Sequence, residues 1–494
     1  MLKWSTELKY QPYEKWSTTY ITNLKKQIAN SSHRLTWHIQ PPTGLLNDPN
    51  GFSYFNHQWH LFYQYYPYGP VHGLKSWYHV TSQDLIHWES HGIALYPDKS
   101  YDRQGVYSGS ALPLNNQELL LMYTGNVRDQ AGQRQSYQNY AILSSKGTIT
   151  KDPRNPIIQR PNNVTEHFRD PQLIQTDHGY YVLLGAQRRQ DLSGQINIFK
   201  STDLNHWENR GFLDFANTRM GYMVECPNLI QVDDQPLLIF CPQGLSKKIL
   251  DYDNNYPNTY LIGNKINLDQ GQFDATGHQL SLLDEGFDCY ATQVLKAPDG
   301  RALAISWVGL PDMRYPTDAE GWSNCLSMVK ELHIKNGHLY QTPLLSLSQL
   351  RQNHQHYAKT MAANTSQILV GSNSYELQLT ILANQQGQLD LMTNQKHKLG
   401  LTLMFDTQTG QLTVQRQCFT QVNTEQRTAS LLAGKALKLN IFVDHSLVEI
   451  FVNNGERIFT QRVFVSPEQT LIKLVSTQQL TYNSDYWDLQ STVK

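Results

Sequence analysis

The sequence predicts an all-β protein in which a five-bladed β-propeller is followed by a C-terminal β-sandwich. Three observations lead to this prediction. Hairpin patterns recur at a regular interval, two distant segments repeat each other, and amphipathic helical periodicity is rare along the 494 residues. A chain of this length exceeds one ordinary hydrophobic core, so we expect two or three domains.

Five stretches have the pattern of a β-hairpin, in which two apolar runs flank a turn of Asn, Asp or Gly. They begin near residues 48, 108, 170, 225 and 290, so their starts are 55 to 65 residues apart. The repeated segments SQDLIHWE (82–89) and STDLNHWE (201–208) are offset by 119 residues, about two such units. Five units at this period indicate a propeller with five blades. An irregular β-sandwich with coincidental spacing is the alternative interpretation.

Changes in this pattern predict the domain boundaries. Helical periodicity is clearest at about 19–30 and 345–353, and short alternating strands with Asn-Gly and Gly turns begin near residue 365. We therefore predict four parts: an N-terminal extension with a short helix (1–34), the propeller (35–342), a linker with a short helix (343–364) and the sandwich (365–494).

Composition argues against several classes of partner. The formal net charge is −1 and the isoelectric point is about 7.0, so neither a nucleic acid nor a membrane is expected as a partner. The first residues contain no apolar core of a secretion signal, and no stretch is apolar enough to span a bilayer. The five cysteines are odd in number and form no CxxC pair, which argues against a disulfide framework or a zinc site. We expect a cytoplasmic protein, and no sequence feature predicts its oligomeric state.

Three of the five hairpins open with an acid, namely Asp48, Asp170 and Glu225, each followed within two residues by proline. The innermost strands of a propeller converge on its axis, so acids at equivalent positions should meet at one end of the central funnel. Clustered carboxylates raise one another's pKa and cost stability, which makes a functional role more plausible than a structural one. A single Asp-Pro turn would carry no such implication.

Two carboxyls in opposite protonation states can hydrolyse a glycosidic bond. One stays ionised and attacks or stabilises the sugar cation, and the other donates a proton to the leaving oxygen. A third acid can bind sugar hydroxyls. Arg169 precedes Asp170, and we expect it to keep that carboxylate ionised. Cys226, next to Glu225, is predicted to be a packing residue rather than a nucleophile.

The motifs WHIQPPTGLLNDPNG, FYQYYP, YSGSA, FRDP and YMVECPNL, in this order, resemble those of glycoside hydrolase family 32, the β-fructofuranosidases. The resemblance covers nearly the whole chain. The segment GPVHGLKSW (69–77) is most similar to the bacterial intracellular sucrose-6-phosphate hydrolases of that family. The resemblance implies a five-bladed propeller with a C-terminal sandwich, and a double displacement that retains configuration without cofactor or metal.

The resemblance also implies roles for single residues. Asp48 would be the nucleophile that attacks the anomeric carbon of fructose, Glu225 the general acid and then the base, and Asp170 the stabiliser of the transition state. The further substrate-binding residues that it implies are Leu45, Leu46, Asn47, Gln64, His72, Tyr107, Ser108, Arg169 and Trp307. Packing between blades is the alternative role for the two aromatic residues Tyr107 and Trp307.

The predicted activity is hydrolysis of sucrose, sucrose 6-phosphate or short fructo-oligosaccharides. Two alternatives remain open: an inverting glycosidase with the same propeller, and a catalytically silent fructan-binding protein. Recognition of a 6-phosphate would require arginine or lysine at the rim of the pocket. The candidates by position in the chain are Arg103, Arg188, Arg189, Lys247 and Lys248.

Overall fold

The computed structural model describes residues 3–369, 371–396, 400–419 and 423–492. Strands dominate these residues, which contain two α-helices and three short 3₁₀-helices. The chain is therefore nearly all β, as predicted. None of the helices in the described ranges is long and apolar enough to cross a membrane.

The N-terminal extension contains α1 (Thr6–Lys9), a 3₁₀ turn (Tyr13–Lys15) and α2 (Thr18–Ala29), which lies where the sequence predicts a helix. The Ser17 hydroxyl caps α2 by accepting a hydrogen bond from the Tyr20 amide at 3.2 Å. On the inner face of α2, Leu24 and Ile28 are buried against Trp322. The extension therefore packs against the sheets that follow it.

Residues 44–343 form five sheets, each built mainly from consecutive antiparallel strands. The first contains β1 (Gly44–Phe55), β2 (Gln58–Tyr66), β3 (Ser76–Ser82) and β4 (Trp88–Leu95). The second contains β5 (Val106–Pro113), β6 (Glu118–Arg128), β7 (Arg134–Ser144) and β8 (Ile149–Lys151). The third contains β9 (Val164–Thr176), β10 (Gly179–Arg188), β11 (Gly194–Ser201) and β12 (Glu208–Phe212).

The fourth sheet includes β13 (Met223–Val232), β14 (Gln235–Gln243) and β15 (Thr259–Ile262). A separate ribbon of β16 (Lys265–Asn267) and β17 (Gln272–Asp274) precedes its last strand, β18 (Ser281–Leu282). The fifth sheet begins with β19 (Cys289–Lys296) and β20 (Ala302–Val308). A 3₁₀ turn (Pro316–Glu320) precedes β21 (Trp322–Ser323), which joins the first sheet beside β1. The remaining strands of the fifth sheet are β22 (Cys325–Leu326), β23 (Lys330–Lys335) and β24 (His338–Pro343).

The first strands of the five sheets follow one another in a closed circuit of contacts. β1 contacts β5, β5 contacts β9, β9 contacts β13, β13 contacts β19, and β19 contacts β1 again. The chain also joins the last sheet to the first, since β21 pairs in parallel with β1 while β22 pairs with β20. The five first strands, β1, β5, β9, β13 and β19, are called the inner strands below.

The repeated segments occupy the same place in two sheets. Each forms the turn between the third and fourth strands, of the first sheet and of the third. In the first turn Asp84 accepts hydrogen bonds from the Ile86 and His87 amides at 2.9 and 2.8 Å. Asp203 repeats both contacts in the second turn. The 119-residue offset therefore spans two sheets, as predicted.

Two six-stranded sheets form the C-terminal part. In spatial order, one contains β25 (Arg351–Met361), β36 (Leu480–Leu489), β27 (Ser374–Ile381), β32 (Leu437–Asp444), β33 (Leu447–Val452) and β34 (Arg457–Arg462). The other contains β26 (Ser366–Leu369), β35 (Leu471–Ser476), β28 (Gln386–Thr393), β29 (Leu401–Asp406), β30 (Gln411–Gln417) and β31 (Thr424–Ser430). Side chains from both sheets form one hydrophobic core, which is the arrangement of a β-sandwich.

The predicted linker over 343–364 differs from the structure in its second half. A 3₁₀ turn (Leu345–Leu350) lies where a helix is predicted, but Arg351–Met361 is the edge strand β25. Most of its side chains are exposed on both faces, so it lacks the alternation of apolar and polar residues by which a strand is recognised. Its pairing with β36 makes it a strand.

Buried ionic contacts join the C-terminal sandwich to the sheets before it. His38 binds Asp444 through Nδ1 at 2.9 Å and Glu449 through Nε2 at 3.1 Å. The ammonium of Lys330 lies 3.0 Å from the other oxygen of Glu449. Burial opposes the charged form of His38, but its hydrogen bonds to the two carboxylates raise its pKa above the ordinary value. The raised pKa favours the charged form of His38 in this buried interface, where the loss of one partner is costly.

We expect replacement of His38 by Gln to lower the free energy of unfolding by about 3–5 kcal/mol near pH 6, because the buried Asp444 loses its cationic partner and Glu449 keeps only Lys330. Since folding raises the pKa of His38, its stabilisation is complete below about pH 6.5 and disappears as the pH rises through the folded pKa. The loss should therefore be smaller at pH 9, as measured by calorimetric unfolding. His87→Gln, which breaks an exposed pair with Asp84, is the matched control and should change little. An equal loss at both pH values would contradict the charged state of His38.

Candidate active site

All five inner strands have a break in register at corresponding positions. The breaks lie between Leu46 and Pro49, Tyr107 and Gly109, Arg169 and Gln172, Glu225 and Asn228, and Tyr290 and Gln293. Such β-bulges bend a strand and redirect its side chains. Asp48 and Asp170 lie within two of these bulges, and Glu225 borders a third. The bulges therefore set the direction of all three acids.

The backbone at the bulges is unusual. Asp170 has a φ of 65° and Cys226 a φ of 49°, in the left-handed region that residues other than glycine seldom adopt. Aspartate tolerates this conformation better than most residues do, whereas cysteine does not. Strained backbone of this kind is characteristic of functional sites, where the surrounding structure maintains it.

The structure brings Asp48 and Asp170 together. One oxygen of each carboxyl and the Cys226 sulfur all lie within 4.8 Å of one another. Asp170 Oδ2 accepts a hydrogen bond from the Cys226 amide at 3.1 Å. Burial and the two nearby aspartates raise the pKa of the Cys226 thiol well above its ordinary value. This thiol therefore stays protonated, in keeping with the predicted packing role.

Three neutral donors hold the Asp48 carboxylate. The Asn47 amide donates to Oδ1 at 2.9 Å, and the Gln64 amide donates to Oδ2 at 3.2 Å. The Ser108 hydroxyl also donates to Oδ2. Three of the predicted substrate-binding residues thus orient this carboxylate, which is only partly buried.

Arg169 pairs with Glu225 rather than with the adjacent Asp170. Its Nε and Nη2 donate to Glu225 Oε1 at 2.9 and 2.6 Å, while Nε lies 4.0 Å from Asp170 Oδ2. The bulge that begins after Arg169 interrupts the regular alternation of side chains, and the Arg169 guanidinium reaches Glu225 on the neighbouring inner strand. The second Glu225 oxygen accepts a hydrogen bond from the Tyr290 hydroxyl at 2.8 Å.

Arg169 lowers the pKa of Asp170, in the expected direction, but burial has the larger effect on that carboxyl. Burial raises the pKa of Asp170 to about 7, with further contributions from Glu225 and Asp48. Arg169 opposes this shift but does not cancel it. The pKa of the Asp170 carboxyl is therefore raised toward neutral pH in the free protein.

A second buried cation, Lys75, was not among the predicted site residues. Its ammonium donates to Asn47 Oδ1 at 2.7 Å, which leaves the Asn47 NH₂ group facing Asp48. Burial lowers the pKa of Lys75 to about 8, against the attraction of the three carboxylates. Lys75 lies within the segment GPVHGLKSW, which was singled out by its resemblance to the family, but the motif does not indicate the contact between Lys75 and Asn47. Tyr290 was missed as well, because an isolated tyrosine in a strand carries no sequence signal.

Aromatic side chains connect the acids to the outer rim. The Trp307 ring lies 6.1 Å from the Tyr290 ring and 6.1 Å from the His72 ring, measured between centroids. Trp307 is almost fully buried, whereas His72 is exposed. Tyr107 is half-buried and faces the Lys75 ammonium, 5.7 Å from its ring centroid.

One predicted substrate contact needs correction. Leu46 is completely buried within the hydrophobic core, because it alternates with Leu45 along β1 and points inward. It can support the site but cannot touch a ligand. Leu45 instead lines a large cavity together with His72.

Comparison with known proteins decides the family. Residues 38–343 match the model described as the glycosyl hydrolases family 32 N-terminal domain, and residues 346–488 match the family 32 C-terminal model. The chain belongs to glycosyl hydrolase family 32. This family 32 enzyme is 45% identical over 467 residues to the sucrose-6-phosphate hydrolase of Pediococcus pentosaceus, covering 94% of this chain and 92% of that protein. It is 44% identical to the Lactococcus lactis subsp. lactis protein of the same name, covering 96% of this chain and 97% of that one.

Solved structures show the same relationship for this family 32 enzyme. The sucrose-6-phosphate hydrolase from Lactobacillus gasseri superposes with a TM-score of 0.94 at 45% identity, covering 99% of this chain and all of that one. A family 32 β-fructofuranosidase from Bombyx mori gives a TM-score of 0.84 at 29% identity, covering 96% and 98%. The family assignment therefore holds for both parts of the chain.

The raised pKa of Asp170 predicts a change in stability with pH. Because folding raises this pKa from about 3.9 to about 7, the contribution of Asp170 to stability is complete only below pH 4 and is lost as the pH rises through 7. Asp170→Asn should therefore stabilise the protein by about 2–4 kcal/mol at pH 8 and by much less at pH 4, as measured by calorimetric unfolding. Asp203→Asn is the control and should destabilise the protein at pH 8 rather than stabilise it. Hydrogen bonds from His206 and Asn205 hold the pKa of Asp203 below its ordinary value, so its ionised form stabilises the fold. A uniform effect of Asp170→Asn across pH would contradict the assigned shift.

Proposed function

We propose that this family 32 enzyme is a retaining β-fructofuranosidase that hydrolyses the terminal β-D-fructofuranosyl bond of sucrose, sucrose 6-phosphate or short fructo-oligosaccharides. The observation that carries this proposal is the cluster of Asp48, Asp170 and Glu225 with the buried cations Lys75 and Arg169. The names of the relatives support the substrate class, since several are sucrose-6-phosphate hydrolases. A Bombyx mori β-fructofuranosidase variant has been solved in complex with sucrose.

The charges of the cluster suit a double displacement. Three carboxyls face two buried cations, and the raised pKa of Asp170 indicates that the cluster retains a proton near neutral pH. A retaining glycosidase requires one ionised nucleophile and one protonated acid. Because the three carboxyls interact, the proton belongs to the cluster as a whole, and the bound substrate can draw it to the acid.

Each acid has one role in this proposal. The Asp48 carboxylate, aligned by Asn47, Gln64 and Ser108, attacks the anomeric carbon of fructose while Glu225 protonates the bridging oxygen. The C2–O bond breaks, and a fructosyl ester of Asp48 forms. Glu225 then removes a proton from water, which attacks the same carbon and regenerates Asp48. Asp170 binds fructose hydroxyls and stabilises the positive charge that develops on the sugar ring.

We further infer that the five sheets are the blades of a propeller whose axis runs through the inner strands. Two features support this: their closed circuit of contacts and a second cavity that all five strands line. Representative lining residues of that cavity are Tyr54, Leu112, Ile174, Leu229 and Leu295. We propose the domain boundaries as predicted, 1–34 for the extension and 35–342 for the propeller, with the linker shortened to 343–350 because β25 belongs to the sandwich.

We also propose a cytoplasmic location. The buried cysteines Cys226, Cys241, Cys289 and Cys325 form no disulfide, and such thiols are typical of a reducing compartment. This proposal is independent of the catalytic one.

Replacement of Asp48 by Asn should reduce kcat for release of fructose from sucrose by about 10³-fold or more, because the covalent step loses its nucleophile. Asp299→Asn, in an exposed turn, is the matched control and should leave kcat unchanged. Retention of near-normal kcat by Asp48→Asn would rule out the nucleophile assignment.

Methanol as acceptor tests the stereochemistry, since a retaining enzyme yields the methyl β-fructofuranoside and an inverting one cannot.

The contact between Lys75 and Asn47 predicts a second kinetic effect. Lys75→Gln should lower kcat by about 10- to 100-fold, because Asn47 loses the partner that orients it against Asp48. Loss of this cation also leaves three carboxyls facing Arg169 alone, so the cluster should hold its proton to higher pH. The alkaline limb of kcat/KM against pH should consequently shift upward, and an unchanged limb would count against this role of Lys75. Lys151→Gln removes a buried lysine paired with Asp98 and Asp102 elsewhere, and should leave the limb in place.

A further inference from the structure

A cavity of about 1010 Å³ lies beside the proposed active site. Two predicted substrate-binding residues, Leu45 and His72, form part of its wall. The opposite wall comes from the segment around Arg314 and from the N-terminal extension. The cavity is therefore continuous with the rim of the proposed fructose site.

Three cationic residues line this cavity: Lys3, Lys9 and Arg314. Within the described ranges, the structure gives none of them a hydrogen bond or an ion pair through its side chain. Two acids, Asp312 and Asp318, also line the cavity, and the charge of Arg314 acts on Asp318. Lys3 and Lys9 lie on the wall contributed by the extension. Unpaired cations in a concave, partly enclosed site are suited to an anionic ligand.

The backbone of Lys9 is fixed next to His72. Its carbonyl accepts a hydrogen bond from the Leu74 amide at 2.8 Å. Gly73 lies so close that a Cβ there would be 2.7 Å from the same carbonyl oxygen. The charge of Lys9 acts on the His72 ring. Lys9 is thus held at the junction of the cavity and the proposed active site.

Aromatic packing holds the whole N-terminal wall in place. The Trp4 ring lies against Gly69, where any Cβ would clash with it at 2.0 Å. Trp16 stacks on Tyr68 with centroids 4.5 Å apart, and the Tyr13 hydroxyl donates to the Leu74 carbonyl at 2.6 Å. The wall that carries Lys3 and Lys9 is therefore a built part of the structure, although it lies outside residues 38–343 that match the family model.

The position of the acid indicates which half of the substrate faces this cavity. Glu225, the proposed acid, connects to the cavity wall through Tyr290, Trp307 and His72. The acid must lie beside the leaving group, which in sucrose 6-phosphate is glucose 6-phosphate. The phosphate then extends away from the acid, toward the unpaired cations.

We propose that Lys9, assisted by Lys3 and Arg314, binds the phosphate of the leaving glucosyl group and selects sucrose 6-phosphate over sucrose. This inference rests on the proposed function. The five cations considered from sequence do not line the cavity. Arg188 instead pairs with Asp191, and Arg189 donates to the Asn162 and Val164 carbonyls.

The test compares kcat/KM for sucrose 6-phosphate and for sucrose in the full-length enzyme and two variants, Lys9→Gln and Lys9→Gln combined with Arg314→Gln. We expect Lys9→Gln to lower kcat/KM for sucrose 6-phosphate by about 10- to 100-fold, mainly through KM, because a charged hydrogen bond to phosphate is lost. The value for sucrose should change less than about twofold, since sucrose presents no charge to the cavity. The double variant should lose more of the preference for the phosphorylated substrate.

Lys26→Gln is the matched control, because Lys26 is exposed on α2 and lies outside the cavity. It should leave both values unchanged. Inhibition by glucose 6-phosphate provides a second readout, and its inhibition constant should rise in Lys9→Gln while that of glucose does not. Equal changes for both substrates, or none, would overturn the assignment of Lys9 while leaving the proposed hydrolase intact. Failure of the wild-type enzyme to cleave either substrate would instead overturn the proposed function.

Discussion

The proximity of three carboxyls is the constraint on which the rest of the site depends. Asp48, Asp170 and Glu225 come from inner strands of three different sheets, and their mutual repulsion would separate them in a looser fold. Arg169 and Lys75 offset that repulsion from two sides, one bound directly to Glu225 and the other acting through Asn47. Because two cations face three acids, the balance is incomplete, and burial with its neighbours raises the pKa of Asp170. The same imbalance that costs stability moves the pKa of this carboxyl toward neutral pH.

The stability that the site lacks must come from elsewhere in the chain. Bulges at equivalent positions orient the acids, and they leave the backbone strained at Asp170 and Cys226. The inner strands tolerate this strain because each is supported by its own sheet and by contacts with two neighbouring inner strands. At the back of these sheets, the buried contacts of His38 with Asp444 and Glu449 join the sandwich to them. The strained residues Asp170 and Cys226 therefore lie in a different region from the stabilising ionic contacts of His38, which are buried between the sandwich and the sheets before it.

Sequence reasoning succeeded where a signal was local or repeated. Alternating apolar residues with turn residues between them identified the hairpins, and the position of Asp48, Asp170 and Glu225 at hairpin starts predicted their convergence. It failed where the partner of a side chain is set by geometry between sheets. Arg169 is adjacent to Asp170 in sequence, yet its guanidinium binds Glu225, 56 residues away. Lys75 lies where a loop leads into β3, and hydrophobic periodicity gives no information about such a position. β25 is a strand because β36 pairs with it, not because of its own sequence pattern.

The carboxyl cluster and the cations proposed to select the substrate lie in different parts of the chain. The acids and Arg169 lie on inner strands and Lys75 lies just before β3, all within the part of the chain that matches the family 32 N-terminal model. Lys3 and Lys9 lie before that part, on a segment held by Trp4 and Trp16 against the loop that carries His72. We expect a change there to alter the leaving group that is accepted more than it disturbs the carboxyl cluster, because Trp307 and Tyr290 lie between His72 and Glu225. We therefore expect substrate preference in this enzyme to depend on Lys3 and Lys9, although the three acids lie on the inner strands.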